Sequence, residues 1–150
     1  GPFLLPRRAA LRGLFPGFAQ GTVCGGNISV LTAMIGTPYE LQGRGEVLFL
    51  EDLGEDAYAI DRMLRRMEQS GLIDRIQGII FGEFTICGPR IEAPFEFTVQ
   101  QIIAQYAERW NKPALMGLPV GHGRQNGWLP LGVNASIQIE NNGKARFIIE

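Results

Sequence analysis

His122 is the only histidine in this 150-residue chain, and it stands between Gly121 and Gly123 beyond the apolar run Pro113-Ala-Leu-Met-Gly-Leu-Pro-Val120. Flanking glycines leave its ring reachable. The ordinary titration range of imidazole suits general-base work, with a polar turn residue as the competing role. Glu51 is the sharper signal, because it follows four apolar residues, Val47-Leu-Phe-Leu50, at what reads as a strand end. A carboxylate there can hold an imidazole in its productive tautomer and stabilise the imidazolium formed during acyl transfer. Asp52, Glu55 and Asp56 fit loop and helix-entry duty better, since negative side chains are favourable near a helix N-terminus.

A carboxylate and a histidine are two-thirds of a hydrolase triad, and the nucleophile is not evident. Ser29, Ser70 and Ser136 are the serines, and none lies in a G-x-S-x-G turn. Ser29 is the least implausible of them, although it sits in helix-capping sequence. Cys24, beside Gly25-Gly26, is a further candidate. One histidine with scattered carboxylates lacks metal-ligand spacing, so no metal site is expected.

Stepping along the chain shows what must position these groups. The run from Val47 to Leu50 has the apolar continuity of a buried strand, and it turns through Gly54. From Asp56 the period changes. Tyr58, Ile60, Met63, Leu64 and Met67 repeat at helical spacing over 56–69, with Gly71 as the stop. Open α/β sheets place reactive groups at such strand C-termini. Upstream, the glycines of Gly21-Thr-Val-Cys-Gly-Gly-Asn-Ile-Ser29 predict either a tight turn with an Asn or Ser cap for a helix over 28–35, or exposed backbone N–H groups beside a ligand. Downstream, residues 78–85 read as a second core strand and 86–97 as a loop. Thr98 with Gln101 predicts a capping box for a helix to about residue 109. A strand over 113–123, another near 129–133, and a hairpin of 136–140 with 146–149 complete the reading. Pro2, Pro6 and Pro16 with Arg7, Arg8 and Arg12 make residues 1–20 a basic segment of poor secondary structure, an interdomain linker or an expression-tag remnant such as Gly1-Pro2 suggests.

Composition narrows the classes. The apolar fraction is 45% and the charged fraction 19%, which is ordinary for a globular domain with its own core. A formal net charge of −1 gives no reason to expect nucleic acid or an anionic membrane as partner. No apolar stretch is long enough for a membrane span. Cys24 and Cys87 read as two free thiols in a cytosolic protein rather than as a disulfide.

Taken together, these pieces resemble the C-terminal domain of the LD-carboxypeptidase family, serine peptidases that include muramoyltetrapeptide carboxypeptidase and the microcin C immunity proteins. The motifs are Gly25-Gly-Asn-Ile-Ser29 with Leu31 and Gly36-Thr-Pro38, Val47-Leu-Phe-Leu-Glu-Asp-Leu-Gly-Glu55, Tyr58 with Ile60-Asp-Arg-Met-Leu64, Gly71-Leu-Ile, Gly78-Ile-Ile-Phe-Gly-Glu-Phe-Thr85 and Gly117-Leu-Pro-Val-Gly-His-Gly123. They occur in the family's order from about residue 17 to 133.

The resemblance implies a swivelling β/β/α-type α/β domain over 21–150, with a mixed sheet or barrel-like core and about three helices. It also implies a Ser-Glu-His triad in which Glu51 and His122 are the catalytic pair, while the serine belongs to an N-terminal α/β domain absent from these residues. Gly25, Gly26 and Asn27 are candidates for the edge of the substrate cleft. The implied reaction is release of terminal D-alanine from murein tetrapeptide in the cytoplasm during peptidoglycan recycling, without metal or organic cofactor, by a possible homodimer. A microcin C immunity-type peptidase would instead need an aromatic group placed to stack on a base, for which Trp110 and Trp128 are available. A non-catalytic interaction domain is the third reading.

Overall fold

The computed structural model describes residues 10–85, 87, 97–124 and 126–150. Among the described residues, seven strands and three α-helices follow one another in chain order: β1 (Arg12–Phe15), β2 (Gly17–Asn27), α1 (Ile28–Met34), β3 (Val47–Leu53), α2 (Ala57–Gln69), β4 (Gly78–Thr85), α3 (Val99–Trp110), β5 (Ala114–Met116), β6 (Asn134–Ile139) and β7 (Ala145–Ile149). The strands form one mixed sheet in the order β1-β5-β4-β3-β2-β6-β7. Its centre, β2 to β5, is parallel; β1 and the β6–β7 hairpin are antiparallel additions at either edge. An isolated bridge between Arg12 and Lys144 brings the two edges together, and the Gly13 N–H donates to the Gly143 carbonyl at 2.8 Å. The sheet is therefore almost closed into a barrel, and the expected α/β fold with a mixed barrel-like core and three helices is what the chain adopts.

Strand β3 shows why. Val47, Leu48, Phe49 and Leu50 are all buried, as a strand covered on both faces must be. Successive side chains leave a strand on opposite faces. Leu48 and Leu50 accordingly join the cluster under the helices, with Ile60, Leu64 and Met67 from α2 and Ile103, Tyr106 and Trp110 from α3. Val47 and Phe49 join the barrel interior with Val23, Ile80, Leu115 and Ile137. Truncating Leu48 or Leu50 to alanine would cost about 2–5 kcal/mol by transfer and cavity terms.

Local signals set the helix ends. Thr98 and Gln101 form the predicted capping box, with the Gln101 N–H donating to Thr98 Oγ1 at 3.2 Å and the Thr98 N–H to Gln101 Oε1 at 2.8 Å. Asn27 caps α1 by accepting from the Val30 N–H at 3.1 Å. Gly71 follows α2 at φ +79°, a left-handed geometry that suits glycine and ends the helix.

Four expectations fail for tertiary reasons. Residues 12–20 are not irregular: β1 pairs with β5, and the first half of β2 pairs with β6. Gly25-Gly26 is not a tight turn but the end of β2, held in parallel register with Phe49 and Leu50. The strand expected over 113–123 covers only Ala114–Met116, and Gly117, at φ +92°, turns the chain away. Residues 129–133 form no strand. Pro130 has no N–H to give, and the segment instead crosses β2, with bonds from Gly132 N–H to Val23 O and from Val23 N–H to Val133 O, both 2.8 Å. Most of the loop predicted over 86–97 lies outside the described residues.

Candidate active site

Glu51 and His122 meet although 71 residues separate them: His122 Nδ1 lies 3.0 Å from Glu51 Oε2. An ionised carboxylate only accepts, so Nδ1 carries the hydrogen and Nε2 is left as the basic nitrogen. The pair is asymmetric in burial. Glu51 is 7% exposed, whereas half of the His122 side chain faces solvent. A fixed buried acceptor behind a reachable ring is the arrangement in which a carboxylate selects a tautomer and stabilises the imidazolium.

Strand geometry places Glu51. It continues the odd-numbered face of β3 after Val47 and Phe49, so it emerges at the mouth of the barrel at the C-terminal end of the parallel strands. Opposite it the β3–β4 register shifts, with Leu50 facing Phe81 and Asp52 facing Phe84. The extra residue on β4 is a bulge, a device that re-aims strand ends. Beside it, Gly82 has no room for a Cβ against the Phe49 ring and the Val120 carbonyl, which lets the His122 segment lie close to β4. The Glu83 N–H then donates to Val120 O at 3.0 Å. A cleft of about 410 Å³ opens here, lined by Phe49, Glu51, Val120, Gly121, His122, Asn126, Gly127, Trp128 and Leu129.

The other expected cleft residues sit alongside. Asn27 is the parallel register partner of Glu51 and Gly26 that of Leu50. Gly25, at φ +120°, has its missing side chain against the Phe49 carbonyl, so the close approach of β2 to β3 requires glycine. The Cβ position of Gly26, at φ +147°, faces open space. Asn27 turns away from Glu51: its Nδ2 donates to Asp52 Oδ1 at 3.0 Å while its Oδ1 caps α1.

Asp52 has the role that sequence reading underrated. It is 2% exposed and sits on the helix side of β3. Besides Asn27, it accepts from Ser29 Oγ at 2.6 Å, the Ser29 N–H at 3.2 Å and the Leu53 N–H at 2.7 Å. It thus serves the N-terminus of α1, not of α2 as its sequence position suggests. An N-capping Asn at 27 followed by Ser29 is the local signal for a helix start, but nothing local says that the partner is 25 residues away.

None of the nucleophile candidates in this chain stands beside His122. Ser29 Oγ is committed to Asp52, with Glu55 Oε1 at 3.4 Å. Ser70 Oγ donates to the Met67 carbonyl at 2.7 Å, at the end of α2, and Ser136 is buried on β6. Cys24 packs against the helix-side core, and burial, with Glu46 nearby, pushes its thiol up to about 12, so the thiolate is scarce at neutral pH. Among the described residues, no three His, Cys, Asp or Glu side chains converge as a metal site would need.

The comparisons with known proteins agree with this picture. Residues 20–137 match the model of the LD-carboxypeptidase C-terminal domain. The "Probable murein peptide carboxypeptidase" of Bacillus subtilis is 35% identical over 137 residues, which are 91% of this chain and 42% of that protein. The "Murein tetrapeptide carboxypeptidase" of Pseudomonas aeruginosa is 35% identical over 120 residues, 79% of this chain and 38% of that protein. Among solved structures, muramoyltetrapeptide carboxypeptidase from Oxalobacter formigenes superposes with a TM-score of 0.78 at 28% identity, covering 89% of this chain and 45% of that one. The chain therefore spans less than half the length of these relatives. With its sheet, its Glu51–His122 pair and this match in hand, the chain belongs to the LD-carboxypeptidase family, as its C-terminal domain.

Proposed function

We propose that this chain is the Glu- and His-bearing half of a serine L,D-carboxypeptidase that releases terminal D-alanine from murein tetrapeptide in cytoplasmic peptidoglycan recycling. The observation that carries the reading is the 3.0 Å contact from His122 Nδ1 to a buried Glu51, which leaves Nε2 free at an open cleft. By the family resemblance the serine comes from an N-terminal α/β domain, which the commitment of Ser29, Ser70 and Ser136 elsewhere in this chain supports.

In this reading, His122 Nε2 takes the serine proton as the oxygen attacks the carbonyl of the L,D bond, and Glu51 stabilises the resulting imidazolium. The imidazolium then protonates the amine of D-alanine as the C–N bond breaks, leaving an acyl-enzyme. Water attacks that ester with the same nitrogen as base, and the tripeptide departs. Gly25 and Gly26 keep the end of β2 close and open beside this edge of β3, while the Asn27 side chain is turned to Asp52 and the α1 N-terminus.

The test is D-alanine release from murein tetrapeptide by a longer protein carrying the upstream domain, with the 150-residue chain in parallel. Release by the former and none by the latter is expected. Equal rates from the short chain would overturn the split triad. A second reading, a microcin C immunity-type peptidase, is favoured by one observation: Trp128 is 88% exposed at the rim of the His122 cleft, as a base-stacking residue would be. Trp110 does not serve, being buried with its Nε1–H donating to Glu68. Cleavage of a nucleotide–peptide conjugate with tetrapeptide left intact would select that reading.

A further inference from the structure

Gly121-His122-Gly123 is the least restrained backbone a catalytic histidine could have, since glycine loses the most freedom on folding. Packing covers only half of the ring. Something must confine the segment if the ring is to stay on Glu51. On the upstream side, Val120 O accepts from the Glu83 N–H. On the downstream side, Gly123 lies so tightly against the Glu83 carboxylate that a Cβ there would overlap it. Gly121 itself adopts φ +146°, with Glu83 Cβ and Glu51 Oε2 at 3.1 and 3.5 Å from where its own Cβ would stand.

The remaining restraint comes from a side chain four residues beyond the histidine. Asn126 Oδ1 accepts the Gly121 N–H at 3.2 Å. The next residue, Gly127, donates its N–H to Pro119 O at 2.7 Å, which anchors the base of the same loop. Asn126 therefore bridges the loop across His122 and holds the N–H end of the Val120–Gly121 peptide, whose carbonyl end accepts from the Glu83 N–H. It lines the same cleft as Glu51 and the imidazole.

We infer that Asn126 is a positioning residue, whose side-chain oxygen holds the Gly121 peptide so that His122 Nδ1 stays on Glu51. This rests on the proposed role of the Glu51–His122 pair and adds a residue to it. The chemistry needed is an acceptor at Oδ1, so aspartate should serve and alanine should not. Misplacing a reacting group by about 1 Å can cost about 100-fold. In a longer, active protein Asn126→Ala should lower kcat about tenfold with KM little changed, and Asn126→Asp should recover most of it.

Because His122 is the only histidine, its two ring nitrogens can be read directly in this chain by ¹⁵N NMR at about pH 9, where an ordinary histidine is neutral. One tautomer, protonated at Nδ1, is expected for the unmodified chain and for Asn126→Asp, and a mixture for Asn126→Ala. A single tautomer retained in Asn126→Ala overturns the inference alone. A mixture already present in the unmodified chain overturns the Glu51–His122 pairing and the inference with it. Should Asn126→Ala unfold, amide exchange in the unmodified chain decides: protection of Gly121 by about tenfold over Gly123 supports the inference, and equal exchange overturns it.

Discussion

Glu51 and Asp52 are neighbours in the chain and opposites in the fold. Glu51 leaves β3 toward the barrel mouth and meets His122 at the edge of solvent. Asp52 leaves toward the helices and accepts from Asn27, Ser29 and Leu53 in a nearly dry setting. Among the described residues, the first carboxylate bonds an imidazole, and the second accepts from a hydroxyl, an amide side chain and backbone N–H groups. One side of the strand end faces an open cleft and the other is locked into the start of α1.

Breaking each side should have different signatures. Glu51→Gln should lower kcat about 10³- to 10⁴-fold in a longer protein that carries the serine, as tautomer control is lost. The same substitution should leave the unfolding midpoint of this chain within a few degrees, measured by thermal denaturation. Asp52→Ala should do the reverse in this chain. It strands several donors in a buried setting, and urea denaturation should show a loss of about 3–5 kcal/mol. If Glu51→Gln unfolds the chain more than Asp52→Ala does, the contrast is wrong.

The helix side should also be the side that fails in alkali. Burial and the Asp61 carboxylate, which accepts from the hydroxyl at 2.9 Å, push the Tyr106 phenol up to about 12. Burial pushes the Cys24 thiol up to about 12 as well. Both groups pack in the cluster under the helices. Each folded-state pKa is raised, so the unfolded chain gives up these protons first. The stability they contribute is whole below pH 9.0 for Cys24 and 10.0 for Tyr106, and it is lost as pH rises toward about 12. Circular dichroism between those limits should show Cys24→Ala and Tyr106→Phe each flattening the decline. The thiol should meanwhile alkylate slowly at neutral pH and faster with each step upward. Smallest of all, Trp128→Ala at the exposed rim should move stability by less than about 0.5 kcal/mol, since Trp128 is 88% exposed.

Legibility followed the range of the interactions. The capping box at Thr98, the helix over 57–69, the buried run of β3 and the Asn141-Asn-Gly143 turn are each specified within a few residues, and they stand where the pattern places them. The proline-punctuated residues 12–20 read as irregular because β1 and half of β2 are strands only by virtue of β5 and β6, which arrive about 100 residues later. Gly25-Gly26 misled in the same way: a glycine pair signals a turn locally, while in the sheet it lets two backbones approach. Asn126 carries no signal in the sequence, because its spacing from His122 has no meaning until the loop closes on itself.

What the sequence determined by itself was chemistry and periodicity: one histidine between glycines, an acidic residue ending an apolar strand, and family motifs in order. The alternation of β3 even decided that Glu51 and Asp52 would part company, since side chains two apart share a face and adjacent ones cannot. Only the tertiary structure decided which face received the histidine. That choice depends on parallel register with β4, on the bulge opposite Glu51 and on the loop from Pro119 to Gly127, all contacts distant in sequence whose geometry no local propensity encodes.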